Sequence, residues 1–213
     1  MKAVIFDFDG TVANTLPLCI EAFRRTIEPL AGRSISDEEI IETFGPSEEG
    51  TIMALIPEFY EQGLKGYLKY YEELHKMCHE PFEGIKEIID YLKDNNVIVA
   101  LVTGKGEKSC NLSIAYYNME NSFHIIKTGS PEGPCKIERI KEVMGYFKLE
   151  PKEVIYVGDA VSDIHSARKA GISAISAIWG DLSNITEIKK NNPDKIFCSV
   201  PEFKCYLQEW ISL

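Results

Sequence analysis

The sequence predicts an α/β fold, a doubly wound parallel sheet interrupted after its first strand by an all-helical insert. Three observations support this prediction. A short apolar run near the N-terminus stops at two aspartates, residues 16–79 show helical spacings of apolar side chains without a strand pattern, and apolar runs alternate with helical patterns after Pro81. Strands that alternate with helices are typical of a parallel sheet with helices on both faces.

The first predicted strand covers residues 1–9, in which the apolar run Ala3–Phe6 leads to the turn signal Asp9-Gly10. A short apolar run with a turn signal at its end is typical of a buried strand. We therefore expect the last residues of this strand to emerge at an edge of the sheet.

The predicted insert, residues 15–80, consists of helices separated by proline and glycine, the residues that most often end a helix. Its apolar residues repeat at helical spacing in four groups, which are Ile20/Phe23/Ile27, Ile40/Ile41/Phe44, Ile52/Leu55/Ile56 and Leu64/Tyr67/Leu68/Tyr71/Leu74.

The predicted core comprises residues 1–14 and 81–213. Its helices are expected at Ile85–Asp94, Lys108–Tyr117, Cys135–Phe147 and Ile164–Ala170, and its further strands at Val97–Val102, His124–Lys127, Val154–Val157 and Ser173–Ile178.

Composition limits the kinds of partner. The chain of 213 residues carries a formal net charge of −10 and has six cysteines without a CxxC pair. An acidic chain without Lys/Arg tracts offers little to a nucleic-acid backbone. Its longest apolar run, Val97–Val102, is far shorter than the roughly 20 residues of a membrane helix, and its first residues lack a secretory signal pattern. We expect a cytoplasmic protein that binds neither nucleic acid nor a membrane.

Two carboxylates follow the first strand. Period-two geometry places Asp7 and Asp9 on one side, and Phe6 and Phe8 on the other. A divalent cation would offset the repulsion between the two acids. A solvated Asp-Gly turn explains the same residues equally well.

A second acidic pair, Asp159 and Asp163, follows the predicted strand Val154–Val157. Ligands of open α/β sheets gather at this edge. For either residue alone, capping of the next helix is the simpler explanation.

Thr103-Gly104 directly follows the predicted strand Val97–Val102. A hydroxyl and backbone amides before a helix favour anion binding. A helix cap with a glycine turn fits the same residues. Lys136 begins a later helix, where a cation is disfavoured unless it has an anionic partner.

Together these residues give the chain a resemblance to the haloacid dehalogenase superfamily of aspartyl-phosphate hydrolases. The resemblance rests on Asp7-Phe8-Asp9-Gly10-Thr11, Thr103, Lys136 and Gly158-Asp159 with Asp163, in that order. The insert resembles the helical cap of the phosphoglycolate phosphatase-like members, and Thr43–Glu49 is similar to their cap loop. A Rossmann-like core with a helical cap is the implied fold.

The resemblance implies that Asp7 is the nucleophile and that Asp9 is the general acid and base. It implies a Mg²⁺ ion held by Asp7, Asp159 and the backbone carbonyl of Asp9, with Asp163 as a water-bridged or more distant ligand. Thr103, the Gly104 amide and Lys136 would hold the phosphate oxygens. Lys127 is a rival for Lys136, because many relatives have a Lys-Pro dipeptide that is absent here.

The implied function is Mg²⁺-dependent hydrolysis of a small phosphorylated metabolite, with phosphoglycolate-like substrates favoured. Asp9 supports ester hydrolysis, because the dehalogenase members have no aspartate at that position. An inorganic pyrophosphatase, a phosphomutase and a non-catalytic phospho-ligand-binding protein remain open, and the chain is expected to be a monomer or homodimer.

Other features have structural interpretations. Glu48, Glu49, Glu72 and Glu73 are interpreted as a solvated face, and the tyrosines at 67, 70 and 71 as a packed helix face. His75 and His79 lack the third ligand of a zinc site and are expected at the end of the last insert helix. Arg24 and Arg25 could meet an anionic leaving group, but exposed arginines are common on such helices.

Overall fold

The computed structural model describes residues 2–180 and 182–211. Over these residues the chain forms a six-stranded sheet in the order β3-β2-β1-β4-β5-β6, in which all neighbouring strands are parallel. The strands are β1 Ala3–Phe6, β2 Ile98–Val102, β3 Ile125–Lys127, β4 Val154–Gly158, β5 Ser173–Ala177 and β6 Lys195–Phe197. The predicted doubly wound sheet is confirmed, with β1 near its centre.

Ten α-helices lie in the same described residues. They are α1 Leu16–Ala31, α2 Asp37–Ile41, α3 Glu48–Leu55, α4 Tyr60–Leu74, α5 Ile85–Asp94, α6 Glu107–Tyr116, α7 Lys136–Phe147, α8 Val161–Ala170, α9 Ile185–Lys190 and α10 Val200–Ile211. Short 3₁₀ turns lie at Pro57–Phe59, His75–Met77 and Pro151–Glu153.

The sheet is buried on both faces because alternate residues of its strands enter different apolar clusters. In β1, Val4 and Phe6 pack into one cluster, which also contains Phe8, whereas Ala3 and Ile5 pack into the other. Helices cover both faces, as expected for a parallel sheet. The predicted alternation of Phe6 and Phe8 against Asp7 and Asp9 is thereby supported.

Helices α1–α4, which we call the helical insert, have an apolar cluster of their own. Phe23 of α1 stacks on Tyr67 of α4 with ring centroids 4.2 Å apart, and Tyr71 is buried in the same cluster. The predicted all-helical character of this segment is confirmed. The predicted domain boundaries, 15–80 against 1–14 and 81–213, stay a prediction.

The last part of the fold lies beyond the predicted elements. β6, α9 and α10 follow the last predicted strand, and β6 is a short, half-buried edge strand. None of the helices in the described residues is long and apolar enough to cross a membrane.

Candidate active site

The predicted motifs meet at one edge of the sheet. β1 lies between β2 and β4, so the residues that follow these three strands are neighbours. In open α/β sheets this is the edge, beside the point where the strand order reverses, at which ligands bind.

Three carboxylates form a buried acidic cluster, which consists of Asp7, Asp159 and Asp163. Each offers an oxygen atom within 4.8 Å of the others. Their exposed fractions are only 6%, 8% and 2%. A solvated Asp-Gly turn is therefore the wrong interpretation for Asp7.

Asp163 combines two expected roles. Its Oδ2 accepts a hydrogen bond from the backbone N–H of Ala160 at 3.0 Å, which caps α8, and its Oδ1 accepts one from Lys136 at 2.5 Å. Capping and membership of the acidic cluster are therefore both present in one side chain.

Lys136 supplies a cation to the acidic cluster from the start of α7. Its Nζ lies 2.6 Å from Asp7 Oδ2 and 2.5 Å from Asp163 Oδ1. Its rival, Lys127, instead pairs with Glu142 at 2.7 Å, with both side chains partly exposed. The structure places Lys136, and not Lys127, at the cluster.

The acidic cluster carries more negative charge than Lys136 offsets. Burial raises the pKa of Asp7 to about 6, against the opposing effect of Lys136 and with further repulsion from Asp163 and Asp9. Burial, followed by repulsion from Asp163 and Asp7, raises the pKa of Asp159 well above its usual range. A further cation would relieve both effects.

The residues of the acidic cluster fit a magnesium ion. Carboxylate and carbonyl oxygens are the ligands that Mg²⁺ prefers. The loop after β1 is built to approach Asp159, since a Cβ on Gly10 would lie 2.3 Å from Asp159 Oδ2, and Gly10 has φ +80°. Only glycine adopts this conformation at so close an approach.

Asp9 lies apart from the acidic cluster and has different partners. Its Oδ1 accepts hydrogen bonds from Thr15 Oγ1 at 2.5 Å and from Lys105 Nζ at 3.2 Å. Its side chain is also more exposed than those of the three clustered acids, at 17%. The carboxylate of Asp9 therefore lies outside the acidic cluster, and the expected role of its backbone carbonyl in metal binding stays a prediction.

Lys105 is a functional candidate that the sequence reasoning missed. It is buried, its Nζ lies 4.1 Å from the centroid of the Tyr71 ring, and it donates to Cys19 Sγ at 3.6 Å. Burial lowers its pKa, but Asp9 and the neighbouring Cys19 outweigh this and raise the pKa well above its usual range. Its place directly after Thr103-Gly104 was the available signal.

The loop after β2 is tightly held. Thr103 is buried, its N–H donates to the carbonyl of Lys127 at 3.0 Å, and its Oγ1 accepts from the Lys105 N–H at 3.2 Å. Gly106, and not Thr103, caps α6, so the helix-cap explanation for Thr103 is wrong. Thr103 and Gly104 both line the cavity described next, and their role as phosphate ligands stays a prediction.

A cavity of about 520 Å³ lies between this sheet edge and the helical insert. We call its two sides the floor and the roof. The floor includes Asp7, Asp9, Thr103, Gly104, Lys105, Lys136 and Asp159, together with other core residues such as Val161, Ser162 and Leu182. The roof is mostly apolar and includes Leu16, Ile20, Phe23, Ile41, Phe44 and Tyr67.

Glu48 is an exception in the roof, and the expectation that it is solvated is wrong. It is buried and lines the cavity. Its Oε2 accepts a hydrogen bond from the Gly106 N–H at 2.6 Å, whereas its Oε1 is buried without a hydrogen-bond partner. Glu72 and Glu73 are exposed as expected, and Glu49 is half-buried.

His75 has a structural place at the end of the helical insert. It is buried, and its Nε2 lies 2.9 Å from Ser113 Oγ. Tyr67 and Tyr71 are buried in the packed face that was predicted. The metal-ligating group found in the described residues includes neither His75 nor His79.

Comparison with known proteins adds family and fold information. The family model for haloacid dehalogenase-like hydrolases matches residues 4–177. The chain is 30% identical, over 91% of its own length and 89% of the relative's, to a protein of Caldanaerobacter subterraneus subsp. tengcongensis named "Putative pyrophosphatase PpaX". It is 26% identical to pyrophosphatase PpaX of Halalkalibacterium halodurans, over 95% of this chain and 94% of that protein.

Solved structures share the fold. A haloacid dehalogenase-like family hydrolase from Streptococcus pneumoniae superposes with a TM-score of 0.79 at 24% identity, covering 97% of this chain and 98% of that one. A "predicted phosphoglycolate phosphatase" from Haemophilus somnus 129pt superposes with a TM-score of 0.75 at 22% identity, covering 93% and 94%.

Proposed function

The chain belongs to the haloacid dehalogenase-like hydrolase family, and on this premise we propose that it is a magnesium-dependent phosphatase that hydrolyses a small phosphorylated metabolite through an aspartyl-phosphate intermediate. The observation that carries the proposal is that two aspartates of one loop have different surroundings. Asp7 lies in the acidic cluster with Lys136, and Asp9 is held apart by Lys105 and Thr15.

Asp7 is the proposed nucleophile. One of its carboxylate oxygens bonds to phosphorus while the bond from phosphorus to the leaving alcohol breaks. The side chain is fixed for this step, because Oδ1 accepts from the Phe8 N–H at 2.8 Å and Oδ2 from Lys136 at 2.6 Å.

Asp9 is the proposed general acid and base. It gives its proton to the leaving oxygen in the first step. In the second step it takes a proton from water as the water oxygen bonds to phosphorus and the bond from phosphorus to Asp7 breaks. Inorganic phosphate leaves, and both side chains return to their starting states. Lys105 positions the Asp9 carboxylate through their 3.2 Å contact.

Asp7, Asp159 and the backbone carbonyl of Asp9 would hold Mg²⁺, with Asp163 further out. When bound, the ion supplies positive charge that lets a phosphate approach the acidic cluster and stabilises charge on its oxygens. Thr103, the Gly104 amide and Lys136 would hold the transferring oxygens, which is the electrostatic contribution that dominates phosphoryl transfer.

The names of the relatives suggest the substrate class. The relatives are named for pyrophosphate and phosphoglycolate, which are both small phosphorylated compounds, and only this shared class is carried over to the present chain. A cavity of about 520 Å³ has room for a small substrate. The cytoplasmic location and the monomeric or homodimeric state stay predictions.

The test is phosphate release from 4-nitrophenyl phosphate, with and without Mg²⁺. We expect Asp7→Asn to lower turnover by about 10⁴-fold or more, because it removes the nucleophile. The matched control is Asp90→Asn, which makes the same change at an exposed position and should leave turnover unchanged. Phosphate binding without turnover in the native protein would instead support a binding protein.

Metal binding can be measured separately from turnover, by thermal unfolding. Mg²⁺ at saturation should raise the midpoint of thermal unfolding by about 5 °C or more, because it binds only the folded chain. Asp159→Asn should remove most of this rise, and Asp90→Asn should keep it. A native protein whose unfolding midpoint is unaffected by Mg²⁺ would contradict the proposed metal site.

A further inference from the structure

We propose that the substrate is a phosphate monoester whose leaving group has an apolar body, carries a hydroxyl or ammonium donor and has no negative charge, and that Glu48 selects it. This inference rests on the proposed function and names the substrate class of the same site. It distinguishes this chain from enzymes that hydrolyse pyrophosphate or phosphoglycolate, because the leaving group of each of those substrates is an anion.

The unpaired oxygen of Glu48 is the first support. Glu48 is only 5% exposed, and its Oε1 has no hydrogen-bond partner although it is buried. Buried acceptors in native proteins are nearly always paired, because an unpaired one loses its hydration without compensation. Since Glu48 also lines the cavity, a donor on a bound ligand can reach its carboxylate and supply the missing hydrogen bond.

The other oxygen of Glu48 explains why the side chain stays in this position. Oε2 accepts from the Gly106 N–H at the start of α6, across the boundary between the helical insert and the core. A Cβ on residue 106 would lie 2.6 Å from this oxygen, so a glycine there lets the Glu48 carboxylate approach the backbone closely. The neighbouring Ser47 N–H also donates to the carbonyl of Ser130 in the core at 3.0 Å. Glu48 is therefore fixed over the cavity.

The charge balance of the cavity is the second support. Among the described lining residues the cations are Lys105 and Lys136, and each already faces carboxylates, Lys105 facing Asp9 and Lys136 facing Asp7. Among residues 2–180 and 182–211, no lysine or arginine forms an ion pair with Glu48, whose Oε2 accepts from the Gly106 N–H. A carboxylate or second phosphate on the leaving group would meet the negative charge of Glu48 without a cation to offset it.

The arginines of α1 do not change this balance. Arg24 pairs with Glu21 at 2.7 Å and also with Asp37, and Arg25 pairs with Glu21 at 2.7 Å. Neither arginine lines the cavity.

The apolar roof is the third support. Ile20, Phe23, Ile41 and Phe44 line the side from which the helical insert faces the acidic cluster. Apolar side chains stabilise an apolar body by removing it from water, but they offer no partner to an anion. The roof thus fits carbon atoms, with Glu48 as the polar contact that orients them.

The test compares esters that share a two-carbon skeleton and differ at its end: 2-hydroxyethyl phosphate, 2-aminoethyl phosphate and 2-phosphoglycolate. We expect kcat/KM for the hydroxyl and ammonium compounds to exceed that for 2-phosphoglycolate by about tenfold or more. Glu48→Gln should lower the ratio of the ammonium compound to 2-phosphoglycolate by about tenfold or more, because the amide replaces a negative acceptor with a neutral group that can donate.

Glu42→Gln is the matched control, because Glu42 is an exposed residue of the helical insert outside the cavity lining; it should keep the native ratio. Preference of the native protein for 2-phosphoglycolate or pyrophosphate would overturn the inference, even if Glu48→Gln failed to fold. A Glu48→Gln protein that folds and keeps the native ratio would also overturn it. Hydrolysis of no ester, 4-nitrophenyl phosphate included, would instead mean that the proposed function itself is wrong.

Discussion

The floor and the roof of the cavity differ in secondary structure and in the polarity of their side chains. The floor lies on the ends of parallel strands, and its lysines are paired with carboxylates at 2.5 to 3.2 Å. The roof comes from the helical insert and is apolar except for a few residues, of which Glu48 is the charged one among those described. Under the proposed function, this difference means that the floor would carry out the reaction and the roof would select the substrate.

Among the changes that compare the floor with the roof, the largest effect should come from Lys136. Lys136→Met leaves Asp7 and Asp163 without their shared cation, so we expect the metal-free protein to lose about 3–5 kcal/mol of unfolding free energy. Phosphate release should fall by about a hundredfold or more, because a cation that holds the phosphate is lost. Urea unfolding in EDTA and turnover with Mg²⁺ measure the two effects.

Lys127→Met is the control for this change. Lys127 pairs with Glu142 near the surface, with side chains 30% and 40% exposed, so its loss should cost at most about 1 kcal/mol. Turnover should stay within about twofold of the native value, as expected for an exposed pair away from the chemistry. Equal losses in the two variants would show that Lys136 has no special role.

The roof can be changed without touching the floor. Ile41→Lys adds a cation to the apolar roof at a cavity-lining position that is 44% exposed. We expect kcat/KM for 2-phosphoglycolate to rise by several-fold, to about tenfold, relative to 2-aminoethyl phosphate, because the anion gains an opposite charge.

The matched control is Met53→Lys, which adds the same charge to the helical insert at an exposed position outside the cavity lining. Its selectivity should equal that of the native protein. If both variants shift selectivity alike, a general charge effect would be the explanation, and the roof would have no specific role.

The smallest effect concerns the place where the helical insert returns to the core. Burial lowers the pKa of His75 below its usual value. The unfolded chain therefore takes up a proton that the folded chain does not, as the pH falls through about 6.5. The free energy of unfolding should decrease over this interval.

His75→Gln should make the dependence of the unfolding free energy on pH flatter between about pH 7 and pH 5. Urea denaturation across this interval measures it, with His79→Gln as the control because His79 is exposed. An unchanged slope in His75→Gln would contradict a buried, neutral His75.

The floor was more predictable from the sequence than the roof. Asp7, Thr103 and Asp159 follow separate strands, and the ends of neighbouring parallel strands meet at one edge whatever the helices do. Lys136 is preferred over Lys127 from the sequence because its place at a helix start resembles a variant placement in the superfamily, and the structure pairs it with Asp7 and Asp163.

Glu48 was misjudged because its burial depends on contact between distant segments. By sequence, Glu48-Glu49 is a charged pair in the first turn of a helix, which is typical of a solvated face. In the fold, the helical insert lies against α6 and the Gly106 N–H reaches Glu48. No local pattern carries that information, and the burial of Lys105 against Tyr71 was missed for the same reason.

The position of β1 in the sheet has a consequence for the order in which the protein folds. Ala3 pairs with Ile98 on one side and with Val154 on the other. The ribosome synthesises β1, which leads into Asp7, before both of the strands that pair with it. β1 can form hydrogen bonds on both of its edges only after the chain as far as β4 has been synthesised. Contacts this distant in sequence form slowly. A nascent chain that still lacks β4 also lacks Asp159 and Asp163, so it cannot assemble the acidic cluster around Asp7.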